Sequence, residues 1–296
     1  MNNEVIIETA VDRMDSLENL RQGKITPGLS TGWKEMDEFY KIIDGQLNVV
    51  SGYPGSGKSE WVDSVMVRQC VKNRASVLYY SPENWPSDIL MRKLIEKRVG
   101  KPIQYIDEER YNEIFEWLSM YFYFISAEDR PYSVEEILNS AENLIRKGVK
   151  LKHLIIDPWN EAESFRGAMS ETDFIGLWLM NCRRFARKHN INIWIVCHPA
   201  KPQKEKNGTF QVPTLYDLAG SAHWYNKADN AFIVHRDDKH GTEMKVHIKK
   251  IKNRYYGKIG ELGFDFIKSS GDFRVITQYE KQTKNRKVIG RDDFND

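Results

Sequence analysis

Gly52-Tyr53-Pro54-Gly55-Ser56-Gly57-Lys58-Ser59 fits the phosphate-loop pattern G-x-x-x-x-G-K-[ST]. The apolar run Leu47-Asn48-Val49-Val50 before it reads as a strand. After it, Val62, Val65, Met66 and Cys70 recur at helical spacing through Glu60 to Asn73. Strand, loop and helix in that order are the setting the motif needs. Glycines let successive backbone N–H groups turn inward onto phosphate oxygens, and the helix N-terminus adds its dipole there. Lys58 would reach the β- and γ-phosphates, and the Ser59 hydroxyl would hold Mg²⁺. The chain is therefore expected to bind a nucleoside triphosphate.

Composition sets the outer bounds. The chain has 296 residues, 41% hydrophobic and 29% charged, as in ordinary globular proteins. That length suits one large α/β domain or two small ones. A net charge of +2 does not by itself announce nucleic acid, so any such site must arise from local clustering. Cys70, Cys182 and Cys197 are widely spaced and form no C-x-x-C, which argues against a disulfide framework or structural zinc. A reducing cytoplasm is the expected setting, with no signal peptide at Met1-Asn2-Asn3-Glu4 and no membrane span.

Residues 1–25 are polar, with a weak helical stripe of Val5, Ile6, Ile7, Val11, Met14, Leu17 and Leu20. This is either an arm that docks elsewhere or a terminal helix packed on its own domain. Beyond Pro27, strands are expected near 47–51, 76–81, 121–126, 153–157, 192–197 and 231–235. Helices are expected near 59–73, 87–99, 108–119, 133–147 and 171–189. Ser133 and Glu136 form a capping-box pattern, and Gly148 stands where a helix-ending glycine belongs. Such alternation predicts a mostly parallel sheet with helices on both faces. Residues 244–251, 261–267 and 273–277 read as consecutive antiparallel strands that finish it.

Further stretches bear chemistry. Leu154-Ile155-Ile156-Asp157 is an apolar strand ending in an acid, which can hold the water shell of Mg²⁺. Ser81-Pro82-Glu83-Asn84 ends another strand, and Glu83 is either the base that activates water or a surface carboxylate. The strand 191–197 ends in His198, which either senses the γ-phosphate or is satisfied by backbone. The loop that follows holds Lys201, Lys204 and Lys206, suited to a phosphate backbone and equally to plain solvation. Lys245 to Lys258 contains six Lys or Arg and no acid. It is either a lysine-guarded edge strand or the seat of an arginine finger.

Taken in order, these motifs resemble the RecA-like helicase domain of the hexameric DnaB family, most closely its Twinkle-type branch. Thr31-Gly32-Trp33-Lys34-Glu35-Met36-Asp37 resembles the family's entry into the domain. The phosphate loop, Ser81 to Asn84, Asp157, and His198 with Asp217 to Trp224 follow as family motifs. Lys227-Ala228-Asp229-Asn230, Val234 to Asp237 and Lys252-Asn253-Arg254 complete them. The resemblance spans roughly residues 26–280 and implies a RecA-like P-loop NTPase, α/β, with antiparallel strands closing a mostly parallel twisted sheet.

It implies these roles. Gly52, Tyr53, Pro54, Gly55, Ser56, Gly57, Lys58 and Ser59, with Glu60, Arg236, Lys252 and Phe266, would bind nucleotide, ATP or another NTP or dNTP. Ser59 and Asp157 would hold Mg²⁺. Glu83, Lys58, His198 and Arg254 would be catalytic, Arg254 acting on a neighbour's nucleotide. Lys201, Lys204 and Lys206 would line a central channel and bind single-stranded DNA. Residues 1–25 would be a linker arm docking on the adjacent subunit, 26–283 the ATPase domain and 284–296 a tail. The implied activity is 5′→3′ translocation and unwinding by a ring-shaped homo-oligomer, a hexamer by analogy, with primase or other replisome proteins as partners. The setting is a bacterial or phage-infected cytoplasm, or an organelle. Two departures stand out: Asn226 replaces the Gln of some relatives, and no primase or zinc-binding module precedes the arm, so priming is not expected. Rival readings are a RecA-class recombinase, which would form open filaments, and a RecA-fold signalling ATPase indifferent to DNA.

Overall fold

The computed structural model describes residues 7–24, 28–162, 168–199, 211–218, 221–238 and 240–277. The parallel part of the sheet contains β1 (Leu47–Ser51), β2 (Ser76–Tyr80), β3 (Phe122–Phe124), β4 (Leu151–Ile156), β5 (Asn192–Cys197) and β6 (Asn230–His235). Three antiparallel strands extend it: β7 (Glu243–Ile251), β8 (Gly260–Ile267) and β9 (Asp272–Val275). Among the described residues the nine strands run in the order β3-β2-β4-β5-β1-β6-β7-β8-β9. The expected sheet is present, antiparallel end included.

Alternation along the central strands sends side chains to two separate cores. Val50, Tyr79, Ile155, Trp194 and Phe232 face one side. There they meet α2 (Lys58–Asn73), α3 (Ser87–Val99) and α4 (Glu108–Tyr121) through Trp61, Leu94 and Leu118. Val49, Leu78, Leu154, Ile193 and Ile233 face the other. They pack on α5 (Val134–Arg146), α6 (Glu171–His189) and α7 (Ser221–Lys227) through Ile137, Leu179 and Trp224. Strands buried on both faces read as continuous apolar runs, which is why the sequence shows them plainly.

The capping box at Ser133 and Glu136 is formed, and Gly148 follows α5 with φ 88°. Strand β3 is shorter than expected, because α4 continues through Tyr121 before the chain extends. The seven-residue α7 adds a helix that the sequence does not announce. Among the described residues no helix is long and apolar enough to cross a membrane.

The N-terminal α1 (Met14–Arg21) buries none of its residues. Ile7, Val11, Met14, Leu17 and Leu20 are all exposed. The alternative of a helix packed on its own domain is thus not what the structure shows. The entry segment, by contrast, is firmly seated. Trp33 lies under the Arg68 guanidinium at 4.0 Å and donates to the Phe273 carbonyl, while Arg68 pairs with Asp272 at 2.7 Å.

Candidate nucleotide site at the sheet edge

Strands β1, β2, β4 and β5 run parallel, so their C-terminal ends share one edge. That edge delivers the phosphate loop from β1, the Glu83 turn from β2, Asp157 from β4 and His198 from β5. A crevice at the carboxyl ends of parallel strands is where ligands bind in open α/β sheets. Residues as far apart in sequence as Gly52 and His198 thereby converge.

Two glycines make the loop possible. Gly52 has φ 153°, and a Cβ there would fall 2.1 Å from the Val234 carbonyl oxygen. Gly57 has φ 95° and caps α2, so the first free N–H groups of that helix open toward the loop. Lys58 is buried and donates to the Tyr53 carbonyl at 3.1 Å across the loop. Burial pushes its ammonium down to about 8, against the opposing pull of Cys197, Asp157 and Glu83.

Asp157 is buried beside Ser59. Burial pushes its carboxyl up to about 6, and a hydrogen bond from the Ser59 hydroxyl opposes that shift. Its Oδ1 has no hydrogen-bond partner among the described residues. An orphaned carboxylate oxygen next to a hydroxyl is a fitting donor set for a hard divalent cation. No group of three or more His, Cys, Asp or Glu that could hold a metal occurs among the described residues. That suits Mg²⁺, which binds through one or two protein oxygens plus phosphates and water.

A pH dependence follows with a definite sign. The raised value means that Asp157 carries a proton below about 6, and that proton opposes the cation. Mg²⁺-dependent nucleotide affinity is expected to fall as pH drops through about 6, read by titration with a fluorescent nucleotide. Asp157→Asn should remove that limb of the curve.

Glu83 lies half exposed on the short turn Pro82–Asn84. His198 Nε2 stands 3.9 Å from its Oε1. Burial, then the Lys58 charge, pushes the imidazole down to about 4, so it is neutral at physiological pH. The Glu83 turn is held from behind by Lys93, a residue that no sequence motif marks. Lys93 donates to Asn84 Oδ1 at 2.9 Å and pairs with Glu60 at 3.0 Å. Glu60 also pairs with the buried Lys97. The Glu60 carboxylate is therefore engaged in tying α2 to α3. No pattern in the sequence announces such a pair, because only the fold brings α3 under the loop.

Arg236 and Phe273 flank the loop at Gly57, 3.6 and 3.7 Å from where a Cβ would sit. Phe266 packs on Phe273 with ring centroids 5.2 Å apart. Lys201, Lys204 and Lys206 fall outside the described residues.

Lys252 and Arg254 lie elsewhere. Strand β7 runs against β6, pairing Ile251 with Asn230 and Lys245 with His235. The chain leaves β7 at the edge where β1 begins, opposite the phosphate loop. Five residues of β1 separate the two edges, roughly 16 Å at the usual strand rise. Arg254 is exposed and has no ion-pair partner among the described residues. Its turn is fixed by the Asn253 side chain and by backbone bonds from Lys41 to Tyr256 and from Lys258 to Phe39. Lys252 instead pairs with Asp229 at 2.8 Å.

Comparison with known proteins decides the family. Residues 28–275 match the model of the DnaB-like helicase C terminal domain. The chain belongs to the DnaB-like helicase C-terminal domain family. This DnaB-like domain is 35% identical over 265 residues to the Twinkle homolog protein, chloroplastic/mitochondrial, of Arabidopsis thaliana. The match covers 83% of this chain but only 36% of that relative's length. Among solved structures, a separately solved ATPase domain superposes with a TM-score of 0.73 at 16% identity, covering 92% of this chain and 100% of that one. A DnaB-like replicative helicase studied with primase gives 0.68 at 17%, covering 92% of this chain and 68% of that one. The RecA-like fold expected of the DnaB-like family is thus present.

Proposed function

We propose that this domain is the NTP-driven motor of a replicative DNA helicase, working as a head-to-tail ring with active sites shared between subunits. The observation that supports this most is the position of Arg254. It is exposed, unpaired among the described residues and at the sheet edge opposite its own phosphate loop. An arginine finger so placed can serve only another copy's nucleotide. Heterologous contacts of that kind close into rings when the rotation permits. The unpartnered stripe on α1 is the arm that docks on the adjacent subunit; 26–283 is the motor and 284–296 a tail.

The chemistry follows from the edge. The loop from Gly52 to Ser59 cradles the phosphates of ATP, or of another NTP or dNTP, and Lys58 neutralises the β- and γ-oxygens. Arg236 and Phe266 clamp the base beside Gly57. Mg²⁺, held by Ser59 and Asp157, would supply charge neutralisation across the phosphate oxygens. Glu83 accepts the proton of the attacking water. Neutral His198 hydrogen-bonds the γ-phosphate and passes its loss to the loop beyond Pro199, which grips single-stranded DNA. Primase is a candidate partner, given the relative solved in that context.

The reading is tested by hydrolysis with and without single-stranded DNA, paired with forks bearing a single 5′ or 3′ tail. Hydrolysis should rise with DNA, and displacement should require the 5′ tail. Hydrolysis indifferent to DNA would overturn it. Replacing Lys201, Lys204 and Lys206 with alanine should weaken DNA binding and flatten the log–log salt slope by about 2, near 0.7 per lost phosphate contact on a single strand. An unchanged slope would take the loop out of the DNA site.

A further inference from the structure

Asp229 is a buried carboxylate that the chemistry above does not use. It sits just outside the β6–β7 ladder, where Asn230 pairs with Ile251, so it faces Lys252 across the strand ends. Lys252 Nζ lies 2.8 Å from its Oδ1, Arg183 from α6 at 3.0 Å and Arg187 at 3.6 Å. Its Oδ2 accepts from the Leu47 N–H at 3.0 Å, and its own N–H donates to the Leu47 carbonyl at 2.9 Å. Leu47 opens β1, the strand that delivers the phosphate loop.

We propose that Asp229 is the positioning residue of the finger that each subunit extends to its neighbour: it fixes the Lys252–Arg254 turn to β1 and, being shared with Arg183 and Arg187, can release Lys252 to a phosphate. This rests on reading Arg254 and Lys252 as acting in trans. The physical case is charge balance. A carboxylate this deeply buried cannot be left alone, so a single Lys partner would be locked onto it. Here two arginines share the same oxygen, and Lys252, half exposed, can leave without stranding a buried charge. Without Asp229, three cations would crowd the strand end with nothing between them, and the turn would lose its tie to the phosphate-loop strand.

The test uses mixed oligomers. Asp229→Asn keeps an acceptor for Leu47 N–H while removing the charge. Alone, it should lower DNA-stimulated kcat on the order of tenfold or more, since small misplacements of a positioned group cost that much. Affinity for a fluorescent ATP analogue should not change. Mixed with Lys58→Ala subunits, it should regain activity, because intact phosphate loops then meet intact fingers. In a random equal mixture about a quarter of adjacent pairs are of that kind. An Arg254→Ala and Lys58→Ala mixture is the reference. Recovery in the reference but not with Asp229→Asn overturns the proposal while sparing the trans finger. Silence in both removes the trans finger and the proposal with it. If Asp229→Asn does not fold, Arg183→Gln with Arg187→Gln, on the partly exposed face of α6, takes its place. Lys252 is then pinned on Asp229, and kcat should fall in the same recoverable way; wild-type turnover would overturn the proposal.

Discussion

Replacing Lys58 with alanine is expected to abolish NTP hydrolysis without harming the fold. The ammonium is buried among the loop carbonyls, close to the charges of Asp157 and Glu83, where no other cation reaches the phosphates as directly. Removing one preorganised donor from a site where transition-state charge develops lowers turnover by about 10²–10³. A full positive charge at the β- and γ-oxygens is worth at least that. The stability side has the opposite sign. Burial holds Lys58 at about 8, below its usual 10.5, so the charged form opposes folding below about pH 8 and that opposition fades as pH rises toward 10.5. Alanine removes the buried charge, and the Tm near neutral pH should hold or rise. Steady-state hydrolysis and thermal melts check both. Measurable turnover in the alanine variant would displace Lys58 from its role.

Replacing Arg254 with alanine should cut DNA-stimulated hydrolysis by about 10³–10⁵, the range for arginine fingers. Nucleotide affinity should stay nearly intact. The split is expected because the side chain lies at the far sheet edge and touches nothing of its own subunit's loop. The exposed turn that presents it is braced by residues 39–41, so truncating one solvated side chain should leave the melt unchanged. Tyr255 beside it is 85% exposed, which suits a surface that meets another copy. Normal turnover in Arg254→Ala would end the assignment.

Much of this is legible from residue order. Strands buried on both faces announce themselves as apolar runs, and a phosphate loop between strand and helix fixes the nucleotide edge. The acids and the histidine at strand ends are legible for the same reason: parallel strands put their C-termini together. What stays hidden depends on pairings across the fold. Arg68 and Asp272 stand 204 positions apart, and nothing local in either links them. Lys93 meets Glu60 only because α3 packs beneath the loop. Asp229 reads as one acid in a polar stretch until the ladder sets it against Lys252. The short α7 escapes a sequence reading because its buried Trp224 is packed by Trp159, from a distant turn, with no periodic stripe of its own. A strand beginning at Tyr121 is expected because Tyr121 to Phe124 is uniformly aromatic, yet α4 extends its hydrogen bonds through the first of these.

The trans geometry is also where sequence and structure differ most in what they contribute. Resemblance points to Arg254 as a finger; topology supplies the reason it cannot act at home. The most direct measurement is hydrolysis by Lys58→Ala and Arg254→Ala subunits, assayed separately and then mixed on single-stranded DNA. Each should be inactive alone, and the mixture should regain about a quarter of wild-type turnover, as random head-to-tail pairing of intact loops with intact fingers requires. A mixture as silent as its components would contradict the shared site.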